Sequence, residues 1–446
     1  MHQINLDLSL EEISKIEGGA GLDLTIRNGQ VEKLNFKITE YKRFYTQAIR
    51  GKAALAAPTL LARICGTCSN AHILAAIKAV ENAFKITPSP QTLILRRLVV
   101  NGLIIRDHAL HLYIFVLPDL FQKDSLLDFD DQDPRQHQLL HDAFAVKDAG
   151  NNLSILTGGR SVHAPYPTVG GFLKFPDPEK QKEIIAKLTA VRPAVLNLID
   201  TFLKAPLNQT QHIPYLALRG ENYSFLAGQI VSTDGINIPS EDYRGQLNRV
   251  DLPYSHASAY TYKKGFYMTG ALARLNLNKA SLNPQTQKDA AQALQKFPSD
   301  NLYHNNLAQA IEILNAIDDS IAILSSTSFN PEPPVKPAVI SGTGFGVIEA
   351  PRGILYHRLT IEDNVVKDAE ILVPTGQNQL NIENDLKILV NRKLQQHTGK
   401  KHSGSGRMDS PGVELKQELT HDMEVLIRAY DPCMSCASHF LKINWN

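Results

Sequence analysis

Asp431-Pro432-Cys433-Met434-Ser435-Cys436-Ala437-Ser438-His439, ending seven residues before the last, is the stretch on which the reading of this sequence turns. Its counterpart is Arg63-Ile64-Cys65-Gly66-Thr67-Cys68-Ser69-Asn70-Ala71-His72, near the other end. Together they hold all four cysteines of the 446-residue chain, as two C-x-x-C pairs, each followed within four residues by a histidine. A C-x-x-C turn aims two thiolates at one metal, so two such pairs can build a four-thiolate site from opposite ends of a chain. Zinc is the ordinary occupant of four thiolates. Structural zinc sites, however, knit compact modules with short loops, and here the closing loop is nearly the whole protein. Soft thiolates suit nickel and iron too, so ligand type alone leaves the metal open. Four cysteines in so long a chain do not make a disulfide framework.

With their flanks, the stretches read R-x-C-G-x-C-x-x-x-H and D-P-C-x-x-C-x-x-H. They resemble the two signature motifs of the large, catalytic subunit of nickel–iron hydrogenases. Within that family the pattern is similar to the cytoplasmic nucleotide-linked and sulfhydrogenase alpha-subunit branch. The resemblance implies a mostly helical α+β fold, with long central helices, small β elements towards both ends and the active site between the N- and C-terminal segments. It also implies that Cys65 and Cys433 bind nickel terminally. Cys68 and Cys436 would then bridge nickel to an iron carrying carbon monoxide and cyanide. Heterolytic cleavage of dihydrogen needs a metal and a nearby base for the proton, and the resemblance gives Cys433 as the first acceptor.

Other segments extend the resemblance. Ile16-Glu17-Gly18 sits where the family has a proton-carrying glutamate, so Glu17 is the expected relay, with Lys15 and Gly19 in place of Arg and His. On its own, Glu17 reads as a solvated residue beside a glycine turn. Glu40 to Thr46 resembles a segment ending in a glutamate that helps bind a magnesium or similar ion near the C-terminal histidine; here that residue is Thr46, a poor ligand for a hard cation. His439 keeps its place in that secondary site, which the threonine puts in doubt. His72, at the start of an apolar helical pattern, is expected to sit behind the thiolates as a donor rather than a ligand. Asp119, after Leu117-Pro118, matches a carboxylate over the active site. Glu349-Ala350-Pro351-Arg352-Gly353 and Val373-Pro374-Thr375-Gly376-Gln377-Asn378 match two further family segments. There Pro351 lines the cofactor and Arg352 hangs over the open metal position, restrained by Asp119 and Asp431. Gly342-x-Gly344-x-Gly346 is not a dinucleotide loop, because the spacing is wrong and no crossover unit follows.

Periodicity supplies the elements. A hairpin is expected around Asn28-Gly29, and a helix over 91–117 ending at Pro118. Helices are expected over 178–204, broken or kinked at Pro193, and over 284–325. A strand pair should span Leu355 to Leu372, and a polar loop His397 to Pro411, before an amphipathic helix from Val413 to Ile427. As a single domain, residues 1–57 form a β-rich segment, 58–330 a helical body and 338–446 an α+β part completing the site, after the Pro331–Pro337 connection.

Composition is that of a globular chain: 43% hydrophobic, 20% charged, net charge +1. Such a balance gives no reason to expect nucleic acid or an anionic membrane as partner. No basic-then-apolar leader and no run of about 18 apolar residues stand in the sequence, so the expectation is cytoplasmic, without membrane insertion, unless a partner carries an export signal. Iron–sulfur clusters are held by cysteine thiolates, and all four are used at the site. The chain therefore carries no such cluster, and the expected partners are an iron–sulfur small subunit, flavin- and NAD(P)-binding subunits beyond it, and maturation proteins. The tail Phe440 to Asn446 is expected to stay attached and help lock the last cysteine pair. The alternatives are a hydrogen-sensing subunit and a non-catalytic scaffold like that of respiratory complex I, and the retained cysteines speak against the latter.

Overall fold

A computed structural model describes residues 4–41, 44–400 and 411–438 of the chain. It opens with an antiparallel sheet of three strands, β1 (Leu6–Leu10), β2 (Ala20–Arg27) and β3 (Gln30–Ile38). The hairpin is β2–β3, with Leu22, Leu24 and Ile26 buried. Asn28 and Gly29 at its tip take φ of 54° and 75°, as a two-residue hairpin turn requires.

The body is helical: α1 (Ser69–Phe84), α2 (Pro90–Ala109), α3 (Pro134–Gly158), α4 (Pro178–Leu203) and α5 (His304–Ser326). Three of these start alike. Ser89, Asp133 and Asp177 each accept a backbone N–H of the first turn, and a proline follows at the first helical position. Two further small sheets lie between α4 and α5, built from Leu216–Arg219, Gln229–Ser232 and Asn237–Pro239, and from Leu247–Asp251 and Ser258–Tyr262.

The structure corrects several expected boundaries. The rod beginning at α2 does not stop at Pro118; it passes through a π-helical stretch, Leu110–Val116, and resumes over Leu117–Leu120. Proline clashes with the carbonyl four residues back, and a wider turn just before it makes room. α4 runs through Pro193 without a break. The segment expected as one helix from 284 is three, Pro284–Asp289, Ala291–Leu294 and α5, because Pro298 and a polar turn interrupt it. Asn70, inside the first turn of α1, donates to Ser161 O and accepts from Ala164 N, tying that turn to the segment after α3.

After an extended Pro331–Pro337 segment comes a meander, β4 (Gly342–Ala350), β5 (Gly353–Glu362) and β6 (Val365–Leu372). Then come α6 (Pro374–Lys400) and α7 (Pro411–Ala429). α6 continues past His397, where a loop was expected. One contiguous core contains Leu22, Leu103, Ile313, Ile348 and Leu426, from both ends and the middle of the chain. The rod Pro90–Leu120 is long and apolar enough to cross a membrane, but 83% of that window is buried inside the fold, as for a core helix.

The three glycines of β4 explain how the meander meets α1. A Cβ on Gly346, Gly344 or Gly342 would lie 1.8, 2.0 or 2.6 Å from the carbonyl oxygen of Ala75, Ala79 or Ala83. Two strand residues span about 6.8 Å and four helix residues about 6 Å, so the glycine and alanine periods run nearly in step. The strand thus lies flush on the helix that follows Cys68. Gly346→Ala is expected to destabilise the fold by roughly 1–3 kcal/mol, at the upper end because the clash is with backbone. A denaturant titration checks this.

Candidate metal centre

Each cysteine pair is delivered by a short helical turn. Ala62–Ile64 ends in extended backbone at Cys65, and Cys68 immediately precedes α1. Cys433 precedes the turn Met434–Ala437, which carries Cys436. Cys68 and Cys433 thus each stand immediately before a helical turn. The second pair is pinned to the N-terminal segment: Met434 N donates to Glu17 O at 2.8 Å, and Glu17 and Cys433 form a parallel bridge. Thr375 Oγ1, at the start of α6, accepts Cys433 N at 2.8 Å.

All four sulfurs lie within 4.8 Å of one another, and all four cysteines are buried. Cys65 and Cys433 Sγ are 3.4 Å apart, Cys68 and Cys436 3.0 Å, and Cys433 and Cys436 3.1 Å. A disulfide is about 2.05 Å, so these are free thiols around one centre. Burial pushes the Cys433 and Cys436 thiols well up, while hydrogen bonds from Cys433 and Cys436 hold Cys65 well down. Unaided, such a dry cluster cannot ionise throughout; cations at its centre would let all four serve as thiolates. The donor set therefore fits soft metal ions. Among the described residues this is the one group of three or more Cys, His, Asp or Glu placed to hold an ion.

Around the sulfurs, Cys433 Sγ donates to Glu17 Oε2 at 2.9 Å, and Ser435 Oγ to Glu17 Oε1 at 2.8 Å. Burial first, then the negative charge of Cys65, raises the Glu17 carboxyl above its ordinary value. His72 Nε2 lies 3.4 Å from Cys436 Sγ, where a donor was expected.

Arg352 stands in the two-residue turn between β4 and β5 and is nearly fully buried. It pairs with Asp431 at 2.9 Å, as expected, but its other partner is Asp107 at 2.8 Å. Asp119 does not restrain Arg352. It is instead held by Arg428 at 2.9 Å and Lys15 at 2.6 Å. α2 already presents Asp107 to Arg352, whereas Asp119, beyond the π-helical stretch, faces the N-terminal segment and α7. Arg106-Asp107-His108, a polar triplet within an apolar helix, was the signal in the sequence.

Arg274, unmarked by any motif, fixes the Arg352 turn. It donates to the carbonyls of Ala350 at 3.1 Å and Pro351 at 2.8 Å while paired with Glu312 and Glu349. Tyr223 and His108 complete the cluster on Glu312. Asp431 takes φ of 51° immediately before a proline, a strained conformation, and it is held by Arg352 and Gln309. Arg106 reaches Thr67 O inside the first cysteine loop. Thr46 lines a surface cleft with Arg50, Arg249 and Arg358. His439 and the tail after it lie outside the described residues, as do Lys42 and Arg43.

A family model described as nickel-dependent hydrogenase matches residues 43–141 and 232–385. Sulfhydrogenase 1 subunit alpha of Pyrococcus furiosus is 30% identical over 99% of this chain and 100% of its own. Sulfhydrogenase 2 subunit alpha of the same organism is 30% identical over 98% and 100%. A crystal structure of an NAD+-reducing [NiFe]-hydrogenase in the H2-reduced state superposes with a TM-score of 0.79. It covers 97% of this chain and 99% of that one at 22% identity, a likeness of fold. The fold, the four gathered thiols and these relatives agree: the chain belongs to the nickel-dependent hydrogenase family, as the large subunit that carries the nickel–iron centre.

Proposed function

We propose that the residues of this chain divide the cleavage of dihydrogen among them as follows. Cys65, Cys68, Cys433 and Cys436 would hold the nickel–iron centre through their gathered sulfurs. That centre supplies the metal chemistry that splits dihydrogen and collects its electrons. Cys433 Sγ accepts the proton and hands it to Glu17 Oε2. Glu17 is half-buried, so it stands between the buried sulfur and the surface. Ser435 fixes the other carboxylate oxygen and so the direction of transfer. Arg352, always charged, stays beside the thiolates because Asp107 and Asp431 hold it. His72 donates to Cys436. The observation that carries this reading is the 2.9 Å hydrogen bond from Cys433 Sγ to Glu17.

Electrons leave through a second polypeptide, since this chain has no cysteine beyond the four. An iron–sulfur small subunit receives them, and flavin- and nucleotide-binding subunits pass them to NAD(P) in the cytoplasm. The alpha-subunit names of the relatives and the NAD+-reducing structural neighbour support this arrangement. The test uses the complex purified from its native cells. Hydrogen should reduce both a viologen dye and NAD+ or NADP+. Dye reduction without nucleotide reduction would remove the proposed acceptor, and a nickel-loaded complex without turnover would point to a sensor.

A further inference from the structure

We infer that His357 is a positioning residue, fixing which nitrogen of His72 carries the proton so that His72 always presents an N–H to Cys436. His357 lies on β5, directly across from Gly346 of β4, the glycine that rests on Ala75. With no side chain at 346, the sheet comes close enough for His357 to reach one turn of α1 back, to His72. The imidazoles are joined nitrogen to nitrogen, His72 Nδ1 to His357 Nε2 at 3.2 Å, with ring centroids 5.3 Å apart. Both are buried, at 1% and 0% exposure.

Hydrogen-bond bookkeeping chooses among the possible proton placements. His357 Nδ1 is buried without a partner. A proton there would be an orphaned buried donor, the rarer and costlier defect, whereas a bare lone pair is the milder one. The ring proton of His357 therefore sits on Nε2 and is donated to His72 Nδ1. Burial also keeps His357 neutral, lowering its pKa well below the ordinary value. With Nδ1 of His72 used as an acceptor, its proton must be on Nε2, which faces Cys436 Sγ at 3.4 Å. The opposite tautomer would set two lone pairs, nitrogen and sulfur, against each other. The other ring nitrogen of a histidine commonly decides what the first one does. A hydrogen bond withdraws electron density from a thiolate, so the pair tunes the donor strength of Cys436.

The inference rests on Cys436 being a metal-bound thiolate, and the experiment separates the two. Infrared spectra and metal contents are recorded for the holoenzyme complex as wild type, His357→Phe and His357→Gln. Phe keeps the bulk without the donor, and the Gln amide can return an N–H near the Nε2 position. The iron-bound carbon monoxide and cyanide bands should shift to lower wavenumber in the Phe variant at unchanged nickel and iron content. In the Gln variant they should return towards wild type. Unshifted bands in a metal-loaded Phe variant overturn the inference. Absence of bands and nickel from the wild type overturns the reading beneath it instead. Should the Phe variant not fold, nitrogen-15 histidine NMR of the wild-type holoenzyme decides: His72 protonated on Nε2 supports the inference, and on Nδ1 overturns it.

Discussion

A Cys68→Ser chain should emerge from its native maturation with almost no nickel or iron and without hydrogen turnover. Cys68 Sγ lies 3.0 Å from Cys436 and immediately precedes α1, so its loss would open the sulfur cluster where it meets the helical body. A serine hydroxyl is hard and stays protonated, whereas both metals of the centre favour soft, anionic sulfur. Removing an outer partner of a metal ligand already costs about 10–100-fold in affinity, and losing a shared ligand should cost more. The fold should survive, because the buried hydroxyl costs only about 1–3 kcal/mol if unsatisfied. Metal analysis and infrared spectroscopy of the purified variant read the outcome. Nickel at the wild-type level would show that Cys68 is not a ligand.

Glu17→Gln should leave the metals in place and slow the chemistry by about 10²–10⁴-fold, the usual worth of a positioned proton carrier. Gln keeps the shape, and its amide can still meet Ser435 and the Cys433 thiol, but it cannot carry a proton. Burial raises the Glu17 carboxyl, so it holds a proton closer to neutral pH than an exposed carboxylate would. Both dye reduction and hydrogen–deuterium exchange with solvent should fall together at unchanged nickel content. Near-normal exchange would take the relay role from Glu17.

The four cysteines, Glu17, His72 and the pairing of Arg352 with Asp431 could be read from linear motifs, because each sits within a few residues of a recognisable pattern. Arg274 and Glu312 could not, and neither could the partners of Asp107 and His357, although Asp107 stands in a polar triplet and His357 close to the Glu349–Gly353 motif. Their partners are set by α2, the helix Ala271–Asn278, α5 and β5 crossing in space, which no linear pattern encodes. Asp119 shows the reverse error, a motif residue turned elsewhere by a π-helical stretch that periodicity does not announce. Gly342, Gly344 and Gly346 resembled a cofactor loop with faulty spacing. Only the carbonyls of α1 beneath them reveal that the glycines serve close packing.

The centre is divided between chain ends, with Cys65 and Cys433 separated by 368 positions. At a synthesis rate of about 5–20 residues per second, the first pair leaves the ribosome some 20–75 seconds before the second exists. For that time two soft ligands stand without their partners, beside a helix that is already able to fold. The last segment then docks by the backbone of Glu17 against Cys433 and Met434, which closes the cavity over whatever it holds. The pocket is complete only once that segment has docked, so these C-terminal contacts latch together a site whose two halves are made at different times.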